Sequence, residues 1–262
     1  MEEDKVHGPL DEMALQWRER DRNFTTTNEL AEFCTLDVLV EDCSLHVMFP
    51  DEISMRLTWR QFPAEPFHIP TLSFDEEGLA ERYRDFLFAN ASADGFLLSA
   101  KAKQVMEKFD LGVHRFYPAT IVYRKPGLFA RKEKFDFFWL HLIFDERQRN
   151  YVDFKRSVFT DKVTLKGDVL SNDELSFPSL EAWDNYRVQR HEEWRSAPGV
   201  APHHEIRPAQ LKLLPDTGIP DLFGLGKINP GLRYSKKALA QALLDAGVKG
   251  LRIRGSKMLS LE

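Results

Sequence analysis

The sequence predicts an α+β protein: a mixed β-sheet with packed helices, preceded by a smaller, largely antiparallel N-terminal portion. A complete strand, helix and strand unit lies between Phe96 and Pro118, and a second unit with the same order of elements lies between Leu232 and Ile253. Between them FDFFWLHLIF, Phe135 to Phe144, is apolar on both alternating faces, as a central strand covered on each side must be. The organisation expected from this is an N-terminal α+β subdomain over 1–92 and a C-terminal domain over 93–262 that carries both units.

Asp11 to Arg20 has the pattern of a short surface helix, with Met13, Leu15 and Trp17 partly covered. Extended patterns follow at Thr35 to Val40, Ser44 to Phe49 and Met55 to Phe62. The first two are separated by Glu41, Asp42 and Cys43, as in a hairpin. The proline-rich PAEPFHIPTL is an irregular connection, and Asp75 caps a helix with Leu79, Tyr83, Phe86 and Leu87 inward. NASADG, before Phe96, marks the subdomain boundary.

In the first unit Phe96, Leu97 and Leu98 form a strand and Ser99 offers its hydroxyl to the free amides of a helix. That helix turns Ala102, Val105, Met106 and Phe109 to one side and ends near Gly112. The second unit repeats the pattern with Ser235 as cap, Leu239, Ala242 and Leu243 inward, and Gly247 at the exit. Ala119 to Tyr123, Tyr151 to Phe159 and Lys162 to Leu165 have strand patterns, and KPGLFARKEK that of a basic turn. GDVLSNDELS is expected to be an acidic loop, Leu180 to Arg195 a helix, and Ser196 to Pro230 a proline-rich stretch broken by short elements such as Gln210 to Leu214.

Composition bounds the function. The chain has 262 residues, 43% hydrophobic and 29% charged, enough for a substantial core without metal or disulfides. Its formal net charge of −5 and its interleaved charges argue against nucleic acid as the main partner and suit a basic one. Cys34 and Cys43 are the only thiols, too few for a disulfide framework or a four-cysteine metal site. The start, MEEDKVHGPL, lacks the basic and apolar pattern of a signal sequence, and no run of 18 apolar residues occurs, so a cytoplasmic protein without a membrane span is expected.

The residues with catalytic or ligating chemistry do not form a recognisable motif. His203 and His204 are adjacent, and on a strand they point to opposite faces; with Glu205 they ligate one metal only from a distorted loop. His191, Glu192 and Glu193 lack a second histidine at helical spacing, and GLGKIN lacks the frame of a phosphate loop. No GxSxG elbow is present. No catalytic, cofactor-binding or metal residues are therefore assigned, and a non-enzymatic binding protein is expected. The competing reading is an enzyme with a scattered site, built on His141 or His204 with nearby carboxylates; His141, on its apolar strand, fits a hydrogen-bonded core histidine better. A secretion-system scaffold module is a third reading.

The order FLLSAKAKQVMEKF, VHRFYPATIV, FFWLHLIF, YVDFKRSVF, DLFGL and LRYSKKALAQALLDAGVKGLRI resembles a family of bacterial immunity proteins encoded beside polymorphic toxins, including those of contact-dependent and type VI secretion systems. The resemblance spans Gly95 to Ile253. It implies a cytoplasmic antitoxin that binds a cognate effector and blocks it during bacterial competition, and it brings no catalytic residues. Because nuclease surfaces are basic and this chain is acidic, a nuclease is the expected toxin. Acidic residues beside aromatic ones outside the apolar strands single out Asp173, Glu174, Asp184, Tyr186, Glu192, Glu193 and Trp194 as candidate toxin contacts. On one helix Tyr186 and Glu193 fall on the same side and Asp184 nearly opposite, so these residues do not all face one partner. Trp183 is assigned to the core.

Overall fold

The computed structural model describes residues 30–38, 47–58, 60–74, 85–87, 89–90, 94–124, 132–144, 150–196 and 202–261. The expected helix at Asp11 to Arg20, the hairpin turn at Glu41 to Cys43, the helix start at Asp75 and the KPGLFAR turn lie outside them. The fold is α+β, with four helices and mostly antiparallel sheets among these residues.

The strands are β1 (Phe33–Val38), β2 (Val47–Met48), β3 (Leu72–Phe74), β4 (Phe86–Leu87), β5 (Ala89–Asn90), β6 (Gly95–Ser99), β7 (His114–Arg124) and β8 (Lys132–Leu142). They continue as β9 (Val152–Leu165), β10 (Asp168–Leu175), β11 (His203–Leu213), β12 (Leu222–Gly224), β13 (Arg233–Lys236), β14 (Leu251–Gly255) and β15 (Leu259–Leu261). The helices are α1 (Asp51–Arg56), α2 (Ala100–Met106), α3 (Leu180–Ser196) and α4 (Lys237–Asp245). Three larger sheets run β3-β7-β8-β6-β4, β12-β13-β1-β14 and β10-β9-β11-β15, and β2 pairs with β5.

As its pattern predicts, β8 is the middle strand of its sheet. Its alternate residues serve two cores: Phe137 and Trp139 pack with Phe49, Leu57 and Phe67 on one side, while Leu140 and Leu142 pack with α2 and α4 on the other. His141 in the same strand is fully buried, with Nε2 2.7 Å from the Thr58 carbonyl, the expected core histidine. Burial pushes its pKa below the ordinary 6.5, opposed by the Thr58 hydrogen bond and by Asp94. As pH falls below 6.5 the unfolded chain therefore takes up a proton that the folded chain resists, and stability present above that pH declines. His141→Gln should flatten this acid-side decline, seen as a smaller difference between urea midpoints at pH 7.5 and pH 5.

The two strand-helix-strand units form as expected. Ser99 Oγ accepts from the Ala102 amide at 3.2 Å, and Gly112 and Gly247 hold φ of 66° and 59° past the helix ends. Ser235 differs: it is fully buried within β13, Lys236 occupies the N-cap position, and no side chain caps α4. The helix starts one residue later relative to its serine, which carries the hydroxyl away from the free amides.

The correspondence extends to whole sheets. β4-β6-β8-β7 and β12-β13-β1-β14 are equivalent strand for strand, each antiparallel throughout. Asp85, Ser99 and Lys101 of the first unit recur at one constant offset as Asp221, Ser235 and Lys237. The contacts between units are reciprocal. The Asp85 and Phe86 amides donate to the Lys249 carbonyl, and the Lys249 amide donates to Asp85 Oδ2 at 2.9 Å. Likewise the Asp221 and Leu222 amides donate to the Asp110 carbonyl, and the Asp110 amide donates to Asp221 Oδ2 at 3.0 Å. Lys101 Nζ crosses to the Gly247 carbonyl at 2.8 Å. The chain thus contains two copies of one sheet-and-helix unit that pack against each other, with the N-terminal β1 in the slot that β8 fills in the other copy.

This arrangement corrects several expectations. Among the described residues, β1, β3 and β4 pair with strands beyond residue 92, whereas β2 and β5, both before it, pair only with each other and in parallel rather than antiparallel. β1 is flanked by β13 and β14, so the segment at Ser44 to Phe49 is not its hairpin partner. Met55 and Arg56, expected to begin a strand, end a helix over 51–56, and Phe86 and Leu87, expected in a helix, are extended. In the first, Asp51 and Glu52 stand at the positive end of a helix after Pro50. In the second, pairing with Leu97 and Leu98 outweighs helical spacing. GDVLSNDELS is strand β10 rather than a loop, because Lys166 and Gly167 both take positive φ and close a two-residue hairpin onto a continuous β9. Within Ser196 to Pro230, β11 is a long strand that accommodates Pro208 at a register shift.

Candidate functional site

Helix α3 lies over the β10-β9-β11-β15 sheet and is held there in two ways. At its start Trp183, 2% exposed, packs with Phe154, Phe159 and their neighbours. Further along, no residue of the helix is buried, and polar contacts take over. Tyr186 rests on Phe177 and donates its hydroxyl to Asp161 Oδ2 at 3.0 Å. Arg190 lies over the Tyr186 ring at 4.9 Å and pairs with Glu193 at 2.8 Å, and Gln189 donates to the same carboxylate.

Asp161 is the hub. This β9 carboxylate is 3% exposed, and besides Tyr186 it receives His204 of β11, whose Nδ1 lies 2.8 Å from Oδ2. A carboxylate accepts only, so the proton of this hydrogen bond sits on Nδ1, and His204 also borders the neighbouring cleft. Burial, with the neighbouring Asp161 charge, raises the Tyr186 pKa and keeps the hydroxyl protonated as donor, while Arg190 acts in the opposite sense.

The cleft opens between the last turns of α3 and the start of β11, with a volume of ≈ 530 Å³. Arg187, Arg190, His191 and Trp194 form one wall, and His203 and His204 the other. Trp194 is 43% exposed; its ring meets His203 edge-on at 6.0 Å and lies 5.8 Å from His191. Val188, 45% exposed, lines the same cleft. A cleft that combines an exposed indole, an exposed apolar side chain and charges has the composition of an interface site. Among the described residues no group of three or more His, Cys, Asp or Glu side chains is placed to hold a metal ion.

The seven residues singled out from the sequence separate into three places. Glu192 and Trp194 line the cleft, and Tyr186 and Glu193 belong to the network beneath it, joined through Arg190. Asp184 pairs with Arg187, itself a cleft residue, at 3.0 Å. Asp173 and Glu174 stand on exposed β10; Asp173 pairs in register with Asp161 and so takes the α3 side of the sheet, while Glu174 takes the other. Asp161, Arg187, Arg190 and His203 as parts of this site were not legible as such. Their association depends on the β9–β11 pairing, which links residues about forty positions apart.

Comparison of the chain with protein-family models and with curated proteins returns no match. No helix among the described residues is long and apolar enough to cross a membrane.

Proposed function

We propose that this chain is a cytoplasmic immunity protein of the polymorphic-toxin class, which binds one cognate effector, a basic nuclease, and occludes its active site or substrate path. The observation that carries the reading is Trp194: a large aromatic side chain, 43% exposed, lining a cleft whose other walls are mainly arginine, histidine and glutamate. Anchors of this kind dominate tight protein interfaces, and the chain's net charge of −5 suits a basic partner. The ordered motifs from Gly95 to Ile253 support the same reading.

The test is co-expression with the product of the neighbouring toxin gene. Growth should be restored, a one-to-one complex should elute on size exclusion, and Trp194→Ala should weaken binding by about a hundredfold with an unchanged far-UV spectrum. Failure of both rescue and complex formation overturns the proposal. A second reading, an enzyme that reverses toxin damage, is favoured by one observation: His204 is held by a buried carboxylate and borders the cleft. Protection at far below one molecule per toxin, abolished by His204→Ala, would establish it; strict one-to-one titration removes it.

A further inference from the structure

Among the described residues, the sheets end in strands of very unequal length. Their terminal strands are β2, β3, β4, β5, β12, β14 and β15, each of five residues or fewer, and β10 with eight. Short edges are protected against pairing by their length, and β10 is the longest strand at the end of a sheet. It also exposes Val169 and Leu170, each at 56%, where a protected edge would carry charge.

The geometry points to β10 as a strand-addition site: an extended basic segment of a partner protein pairs along Asp168–Leu175 and continues the sheet. The charge of this edge selects the occupant. Asp168, Asp173 and Glu174 are acidic and β10 contains no basic residue. A second copy of the same strand would bring three negative charges against three, which disfavours self-pairing. A segment with lysine or arginine at neighbouring positions meets Asp173 on one face of the sheet and Glu174 on the other, with apolar side chains opposite Val169 and Leu170. The inference rests on the immunity reading for the partner's identity, but its geometry is testable separately.

The probe is a blocked peptide of eight residues alternating valine and lysine, with a valine and glutamate peptide as control, added to the full chain and followed by amide chemical shifts and hydrogen exchange. The expected result is perturbation and slowed exchange confined to Asp168–Leu175 and adjoining β9 with the basic peptide, and none with the acidic one. Asp173→Lys with Glu174→Lys should weaken the effect about tenfold, with thermal unfolding unchanged because both side chains are exposed. Equal response to both peptides, no response at millimolar peptide, or a response elsewhere overturns the proposal. Full protection of the outward β10 amides in the chain alone, or a doubled mass in light scattering that disappears when β10 is charge-reversed, would show instead that the chain itself or a second copy covers the edge. Toxin rescue with β10 amides unchanged in the complex rejects strand addition while leaving the immunity reading intact.

Discussion

Gly95→Ala is expected to destabilise the protein by more than about 3 kcal/mol, or to prevent its accumulation in soluble form. Gly95 begins β6 and pairs in register with His141 of the central strand. A methyl group there would lie 2.2 Å from the Leu140 carbonyl oxygen and 2.6 Å from the Trp139 ring. Neither neighbour can yield: the carbonyl belongs to the middle strand of its sheet, and Trp139, 1% exposed, fills the core against Phe49. Accommodation requires β6 to move off β8, which disturbs both cores at once, since Leu97 enters one and Phe96 and Leu98 the other. Chemical denaturation followed by tryptophan fluorescence measures the loss; a cost below about 1 kcal/mol would mean that β6 does not lie this close to β8.

What was legible in the sequence follows from the range of the forces involved. Ser99, the apolar face of α2, Gly112 and the doubly apolar β8 are local patterns, and each predicts its element because the deciding interactions lie within a few residues. β1 shows the opposite case. Its alternation predicts a strand, but its neighbours are β13 and β14, about two hundred residues away, and nothing within Phe33–Val38 specifies them. The expected hairpin was the nearest available partner rather than the one that completes a repeated sheet. β10 was misjudged because its composition, DVLSNDEL, is that of a polar loop. Pairing with β9 and the positive-φ Lys166–Gly167 turn decide the matter, and an edge strand need not be apolar. The candidate site divides the same way. Trp194 and Glu192 could be chosen from composition, whereas Asp161 carries no local signal and acquires its role only when β9, β11 and α3 converge on it.

The second large effect concerns the reciprocal lock between the two units, where the equivalent aspartates should not be equally important. Asp85 is 2% exposed and its carboxylate accepts from Ser99 Oγ at 2.7 Å and the Lys249 amide at 2.9 Å, with Lys101 Nζ at 3.7 Å. Asp85→Ala leaves a buried hydroxyl and a backbone amide without their acceptor and removes the ion pair, so a loss of about 3 kcal/mol is expected. Asp221 accepts the Asp110 amide at 3.0 Å and lies 3.6 Å from Lys236, but its side chain is 24% exposed. Water can replace much of what Asp221→Ala removes, which sets its cost nearer 1 kcal/mol. Urea denaturation of the two variants at equal m-value measures both. Because the sites lie in separate parts of one reciprocal interface, the double variant should cost the sum of the two if each lock closes independently. A cost greater than the sum would show that loss of either lock loosens the other, with the interface between the two copies opening as a unit.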